Sequence, residues 1–178
     1  GYAVEQVKRE LEERGVNGAI LNAGGNVVTI GSKSDGSAWR VGVQMPADLS
    51  DSTLAVLELN GSHAIVTSGD YQRYYEADGE RYAHIIDPLT LYPPRYCRAV
   101  TVVCDDSTMA DCISTTLFTL SYEDGLQYLD VLEEQGIHAQ ALWVFDESED
   151  IPQSEHTFTS QGYTIITTEA LYEAVQIS

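Results

Sequence analysis

The run Ala99 to Cys104, AVTVVC, constrains the fold more than any other segment. It is rich in apolar and β-branched residues and carries no charge, so it reads as a buried-type strand. Shorter β-rich runs lie around it. Gly18 to Asn22 and Asn26 to Ile30 are separated by Ala23-Gly24-Gly25, a tight turn or bulge. Trp39 to Val43 alternates as a strand should, and Pro46 ends it. Leu54 to Leu59 and His63 to Thr67 read as a hairpin across Asn60-Gly61-Ser62. Ala83 to Ile86, closed by Asp87-Pro88, is a short extended run; Ala139 to Phe145 and Tyr163 to Thr167 are further strands.

Helical spacing is confined to four places. Residues 2–14 set Ala3, Val4, Val7 and Leu11 on one face and charges on the other, with Gly15 as the stop. Residues 107–119 and 122–135 form two helices split near Ser121, the second stopped by Gly136, and Glu169 to Val175 reads as a terminal helix. The tyrosine-dense stretch Ser68 to Tyr82, residues 89–97 and the acidic segment Asp146 to Glu155 remain as polar or loop regions. With no internal repeat and no linker, the 178 residues read as one α/β or α+β domain with a mainly antiparallel, hairpin-rich sheet. A chain of this length buries roughly 70% of its unfolded surface, enough for a real core.

Charge narrows the partners. Against 28 acidic residues stand only 9 basic ones, a net charge of −19, and such a surface repels nucleic-acid backbones and anionic lipid. Nucleic acid is therefore not expected as a partner. An anionic ligand would need a bound cation or backbone donors to overcome that field. Cys97, Cys104 and Cys112 have no CxxC spacing and read as structural thiols.

Four patterns could carry chemistry, each with a structural alternative. Gly24-Gly25-Asn26 could let a backbone approach phosphate closely, or could serve only as a tight turn. Ser68-Gly69, at the end of an apolar strand, suits an anion or ribose contact and equally an ordinary turn. His84, at the edge of a buried strand, could act as a general base, an effect worth about 10²- to 10⁴-fold, or be a surface histidine. Asp111 and Thr115, four apart on a helix, offer a carboxylate and a hydroxyl from one face, the hard-oxygen pair Mg²⁺ prefers. Alternatively Asp111 only complements the helix dipole.

The order of these patterns carries a resemblance. Gly-Tyr-Ala-Val opening a helix, then AGGN, WRVGVQMP, TSGDYQRYYE, DGERYAHIIDP, VTVV and MADCISTTLF together resemble the ApbE family of FAD:protein FMN transferases over roughly residues 1–145. The resemblance implies an α+β, T-fold-like domain with a mainly antiparallel mixed sheet and packed helices. It implies FAD as substrate, Mg²⁺ as cofactor, and transfer of FMN to a threonine hydroxyl of a target flavoprotein with release of AMP. FAD hydrolysis is the side activity expected of some relatives. Carried over by position, Asp111 and Thr115 correspond to the metal-binding pair, His84 to a base, and Gly24, Gly25, Asn26, Ser68 and Gly69 to segments lining the FAD site.

The pattern also departs from the family. Leu91 follows Thr90 where glycine is usual, which predicts a turn of different shape, and Cys112 stands where alanine is common. The family carries a long N-terminal half ahead of Gly-Tyr-Ala that supplies part of the FAD pocket and a backbone metal ligand. The chain accordingly reads as an ApbE-like domain over 1–178 without that half. A second reading follows from this: a non-catalytic flavin-binding or protein-interaction module on the same fold. An extracytoplasmic location with a lipid anchor upstream is expected from the resemblance alone.

Overall fold

The computed structural model describes residues 1–46, 52–147 and 151–177. In chain order the elements are α1 (Tyr2–Glu13), β1 (Gly18–Ala23), β2 (Asn26–Gly31), β3 (Trp39–Gln44), β4 (Thr53–Leu59), β5 (Ala64–Gly69), β6 (Tyr74–Ala77), β7 (Glu80–Ala83), β8 (Ala99–Cys104), α2 (Ser107–Phe118), α3 (Tyr122–Glu134), β9 (Ala139–Asp146), β10 (Thr157–Ser160), β11 (Tyr163–Thr167), α4 (Glu169–Tyr172) and β12 (Val175–Ile177). Seven strands form one sheet in the order β1-β2-β5-β8-β9-β11-β10, and neighbours pair antiparallel. A second sheet, β12-β4-β3, packs on one face of the first, and β6–β7 is a separate hairpin.

The central strand β8 is buried along its whole length, as its sequence demands. Val100, Val102 and Cys104 enter the core shared with α2 and α3, while Ala99 and Val103 enter the core against the smaller sheet. Strand β9 divides likewise, with Ala141, Trp143 and Phe145 on the helix side and Leu142 and Val144 on the other. Fully burying one such side chain contributes about 1.5–3 kcal/mol. The same parity puts Ala64, Val66 and Ser68 of β5 on the helix side, so Ser68 faces α2. Among the described residues no helix is long and apolar enough to cross a membrane.

The structure corrects four expectations. The runs on either side of Asn60-Gly61-Ser62 are not a hairpin: β4 pairs with β3 and β12, β5 with β2 and β8, so the chain steps between sheets there. The tyrosine-rich stretch contains the hairpin β6–β7, whose turn residues Asp78 and Gly79 both take positive φ. The terminal helix is a single turn followed by β12, which completes the smaller sheet. In α1 the buried side chains are Glu5 and Lys8, while Val7 is exposed. Polar partners on a distant loop and helix draw Glu5 and Lys8 inward beside the half-buried Val4 and Leu11. Of the acidic segment 146–155, residues 148–150 lie outside the described residues.

Candidate functional site

Helix α2 starts at Asp106, whose carboxylate caps the helix by accepting the amide N–H groups of Thr108 (2.8 Å) and Met109 (3.0 Å). Ala110, Ile113, Leu117 and Phe118 anchor it to the sheet. That anchoring turns Asp111 and Thr115 towards an open groove of about 640 Å³. Ile85, Ile86 and Pro88 form the opposite wall.

Around Thr115 three hydroxyls meet. Ser68 Oγ lies 3.0 Å from Ser114 Oγ and 3.3 Å from Thr115 Oγ1, and the last two each donate to the Asp111 carbonyl, at 3.2 and 3.1 Å. The carboxylate itself is half-exposed. Ser114 joins the sequence-derived candidates; its signal is a polar residue on a mostly apolar helix face, which needs a buried partner.

The remaining candidates are dispersed. Gly24 and Gly25, with φ of 64° and 91°, form a two-residue turn between β1 and β2. A Cβ at either would meet open space, so backbone conformation accounts for both glycines. Gly25 N–H donates to Asn22 Oδ1. Asn26 is buried beneath the start of α2, where its Oδ1 accepts from Ser107 Oγ at 2.7 Å. Gly69 is required by packing: a Cβ there would stand 2.7 Å from the Tyr71 ring and 3.0 Å from the Arg98 carbonyl oxygen. Burial, helped by the neighbouring Asp70 charge, pushes the Tyr71 hydroxyl up to about 12, so it stays neutral near pH 7.

His84 is exposed and sits one residue before the groove wall. Its Nδ1 is 3.0 Å from the Arg73 carbonyl oxygen. A carbonyl only accepts, so Nδ1 carries the proton and Nε2 is the basic nitrogen of the neutral ring. After it, Asp87 holds its own loop: Oδ1 accepts the Leu89 N–H at 2.8 Å and Oδ2 the Thr90 hydroxyl at 2.9 Å. Leu91, in the place of the expected glycine, takes φ of 61°, the left-handed region that glycine reaches more cheaply.

A second concavity of about 290 Å³ holds Arg81, Arg95 and Arg98. Arg98 binds Asp70, Asp146 and the Pro46 carbonyl as an internal tie, Arg95 binds Glu80 at the surface, and Arg81 lies over the Tyr74 ring.

Among the described residues no group of three or more His, Cys, Asp or Glu side chains could hold a metal. The oxygen donors at the groove are one carboxylate and the hydroxyls beside it, and the Cys112 thiol lines it as well. Those oxygens fit Mg²⁺, which keeps several waters and takes phosphate oxygens rather than an all-protein cage.

Known proteins share both the sequence and the fold. A family model described as the ApbE family matches residues 1–141. An FAD:protein FMN transferase of Klebsiella pneumoniae is 38% identical over 138 residues, 77% of this chain and 38% of that protein. The enzyme of the same name from Escherichia coli K12 is 38% identical over 124 residues, 69% of this chain and 35% of its own. The chain thus spans under two-fifths of the length of each of these two relatives. Among solved structures, the ApbE protein of Thermotoga maritima superposes with a TM-score of 0.69 at 35% identity, covering 87% of this chain and 48% of that one. The apo flavinyl transferase ApbE of Pseudomonas stutzeri gives 0.67 at 33% identity, over 97% and 48%. With most of its length matched by the family model and its fold shared with solved members, this chain belongs to the ApbE family.

Proposed function

We propose that this chain takes part in transferring FMN from FAD to a threonine hydroxyl of a target flavoprotein, with Mg²⁺ as the cation and AMP released. One observation carries the reading: Asp111 and Thr115 face a single groove whose opposite wall begins directly after His84, with Ser68 packed against Thr115. Relatives named for this activity share more than a third of the aligned residues.

The chemistry asks little covalent work of the protein. The acceptor hydroxyl attacks the FMN-side phosphorus of the pyrophosphate, the bond to the AMP phosphate oxygen breaks, and AMP leaves. Asp111 and Thr115 would hold Mg²⁺, which when bound neutralises the charge gathering on the phosphoryl oxygens. The hydroxyl proton needs a base, since a threonine is a weak nucleophile at its own pKa. His84 Nε2 is that base in this reading, its tautomer fixed by the Arg73 carbonyl. Ser68 and Ser114 keep the Thr115 hydroxyl in place. An extracytoplasmic location belongs to the same proposal, on the resemblance alone.

A second reading, flavin binding without transfer, is favoured by the fact that Ile85 and Ile86, not the His84 ring, line the groove. Incubation with FAD, Mg²⁺ and a flavoprotein domain decides between them. Transfer leaves a fluorescent protein band on a denaturing gel and free AMP, and Asp111→Ala abolishes both while the circular dichroism is unchanged. FAD bound with neither label nor AMP leaves the second reading. Calorimetry showing equal FAD affinity with and without Mg²⁺ removes Asp111 and Thr115 from the cation site.

A further inference from the structure

Glu5 is 3% exposed, an unusual place for a carboxylate on a helix with ample surface. Its partners explain the burial. Oε2 accepts the backbone N–H of Ser107, the first residue of α2, at 2.9 Å, across 102 positions of sequence. Oε1 accepts Arg9 Nε at 2.9 Å, and Lys8 Nζ lies 3.7 Å from Oε2 while donating to the Asp105 carbonyl at 2.5 Å. Arg9 also reaches Asp106, so the same cluster grips the capping residue.

Together Glu5 and Asp106 take the first three amide N–H groups of α2, those of Ser107, Thr108 and Met109. Ser107 is itself fully buried and pinned to β2 through Asn26. The two helices also touch at backbone distance: a Cβ on Gly1 would lie 2.5 Å from the Ser107 carbonyl oxygen and 2.8 Å from Asp111 Cβ. Asp111 stands one helical turn beyond Ser107, so whatever sets the start and rotation of α2 sets the direction of the Asp111 carboxylate.

We infer that Glu5 is a positioning residue for the cation-binding pair Asp111 and Thr115, acting through the Ser107 N–H. The inference rests on the cation site proposed above. Groups that orient metal ligands cost about 10- to 100-fold in affinity when lost. The core contacts of α2 hold the helix on the sheet; the Glu5 bond fixes where its first turn points.

Mn²⁺ titration of the full chain in the presence of FAD, read by electron paramagnetic resonance, tests this without an activity assay. Glu5→Ala should bind Mn²⁺ about 10- to 100-fold more weakly, with FAD affinity in the absence of metal unchanged. Glu5→Gln keeps an oxygen that accepts the Ser107 N–H and should recover most of the loss. Wild-type Mn²⁺ affinity in Glu5→Ala overturns the inference, and so does Glu5→Gln failing as badly as Glu5→Ala. Should Glu5→Ala not fold, Ser107→Pro decides. Proline suits a first helical position and Asp106 is already extended, so the exchange removes the N–H and should weaken Mn²⁺ binding. Ser107→Ala keeps that N–H and is its control; equal affinity in the two overturns the inference. Asp111→Ala is run in parallel. Undiminished Mn²⁺ binding there removes the cation site itself, whereas weakened binding there with a normal Glu5→Ala removes only the role of Glu5.

Discussion

The two walls of the groove are built in opposite ways. Helix α2 is fixed by contacts from far along the chain: Glu5 at its first amide, Asn26 at Ser107, Ser68 at Ser114 and Thr115. The facing wall, after β7, is fixed by near neighbours, Asp87 bonding residues two and three positions on. One wall spends its apolar side chains on the core; the other rests Ile85 against it and presents Ile86, Leu89, Leu91 and Tyr92 to solvent. The proposed cation ligands ride on the wall that non-local contacts hold, while the locally held wall, which begins just after His84, offers contact surface.

If that contrast is real, truncation should separate the walls most sharply. Leu117 is 0% exposed on α2 and Leu89 is 91% exposed on the loop. Leu117→Ala should cost about 2–5 kcal/mol in denaturant unfolding, through lost burial and the cavity left behind. Leu89→Ala should stay within about 0.5 kcal/mol. Similar losses at the two positions would mean that the loop wall is packed as tightly as the helix.

How much of this the sequence reveals follows the same division. The bounds of α2 and α3 are legible because their punctuation is local: Asp106 and Ser121 as caps, Gly136 as the stop. Strand β8 is legible because a run without charge tolerates no solvent face. The Asp-Gly pair at 78–79 was an available hairpin signal that the dense tyrosines obscured. Nothing local separates Asn60-Gly61 from such a pair, since the sheet that β4 joins depends on β3 and β12. The site divides likewise. Asp111 and Thr115 are readable at helical spacing, but the meeting with Ser68 depends on the β5–β8 register, and burial of Glu5 on a partner 102 residues away.

A smaller effect should distinguish the walls in acid. Burial alone would raise the Asp106 carboxyl, but the N–H groups of Met109 and Thr108 and the Arg9 guanidinium outweigh it and hold it below its usual range. The Leu89 N–H holds Asp87 down too, against a lesser opposing effect of desolvation and with help from Thr90. A depressed folded value gives stability that is complete above the unfolded carboxylate pKa of about 3.9 and is lost as pH falls through the lower folded value. Asp106→Ala should cost about 1 kcal/mol at neutral pH as a lost helix cap, whereas Asp106→Asn should keep most of the cap and flatten the loss of global stability below about pH 4. Asp87→Asn should flatten that loss by less, with its main effect on local opening, read as hydrogen exchange at the Leu89 amide. A large global effect of Asp87→Asn would erase the distinction.

The smallest expected effect has the opposite sign and lies on the loop wall. Leu91 holds φ of 61° with its N–H donating to the Asp87 carbonyl at 2.8 Å, while its side chain is 74% exposed. A left-handed L-residue costs roughly 1–2 kcal/mol, and glycine gives back part of that gain, about 0.5–1 kcal/mol, through its freer unfolded chain. Leu91→Gly should therefore stabilise the protein by roughly 0.5 kcal/mol, measured as a raised denaturant midpoint with unchanged slope. Leu91→Ala, which keeps the backbone strain and removes the side chain, should be nearly neutral. If both variants lose stability together, the leucine side chain packs against the loop, and this wall is then held by its apolar residues as well as by Asp87.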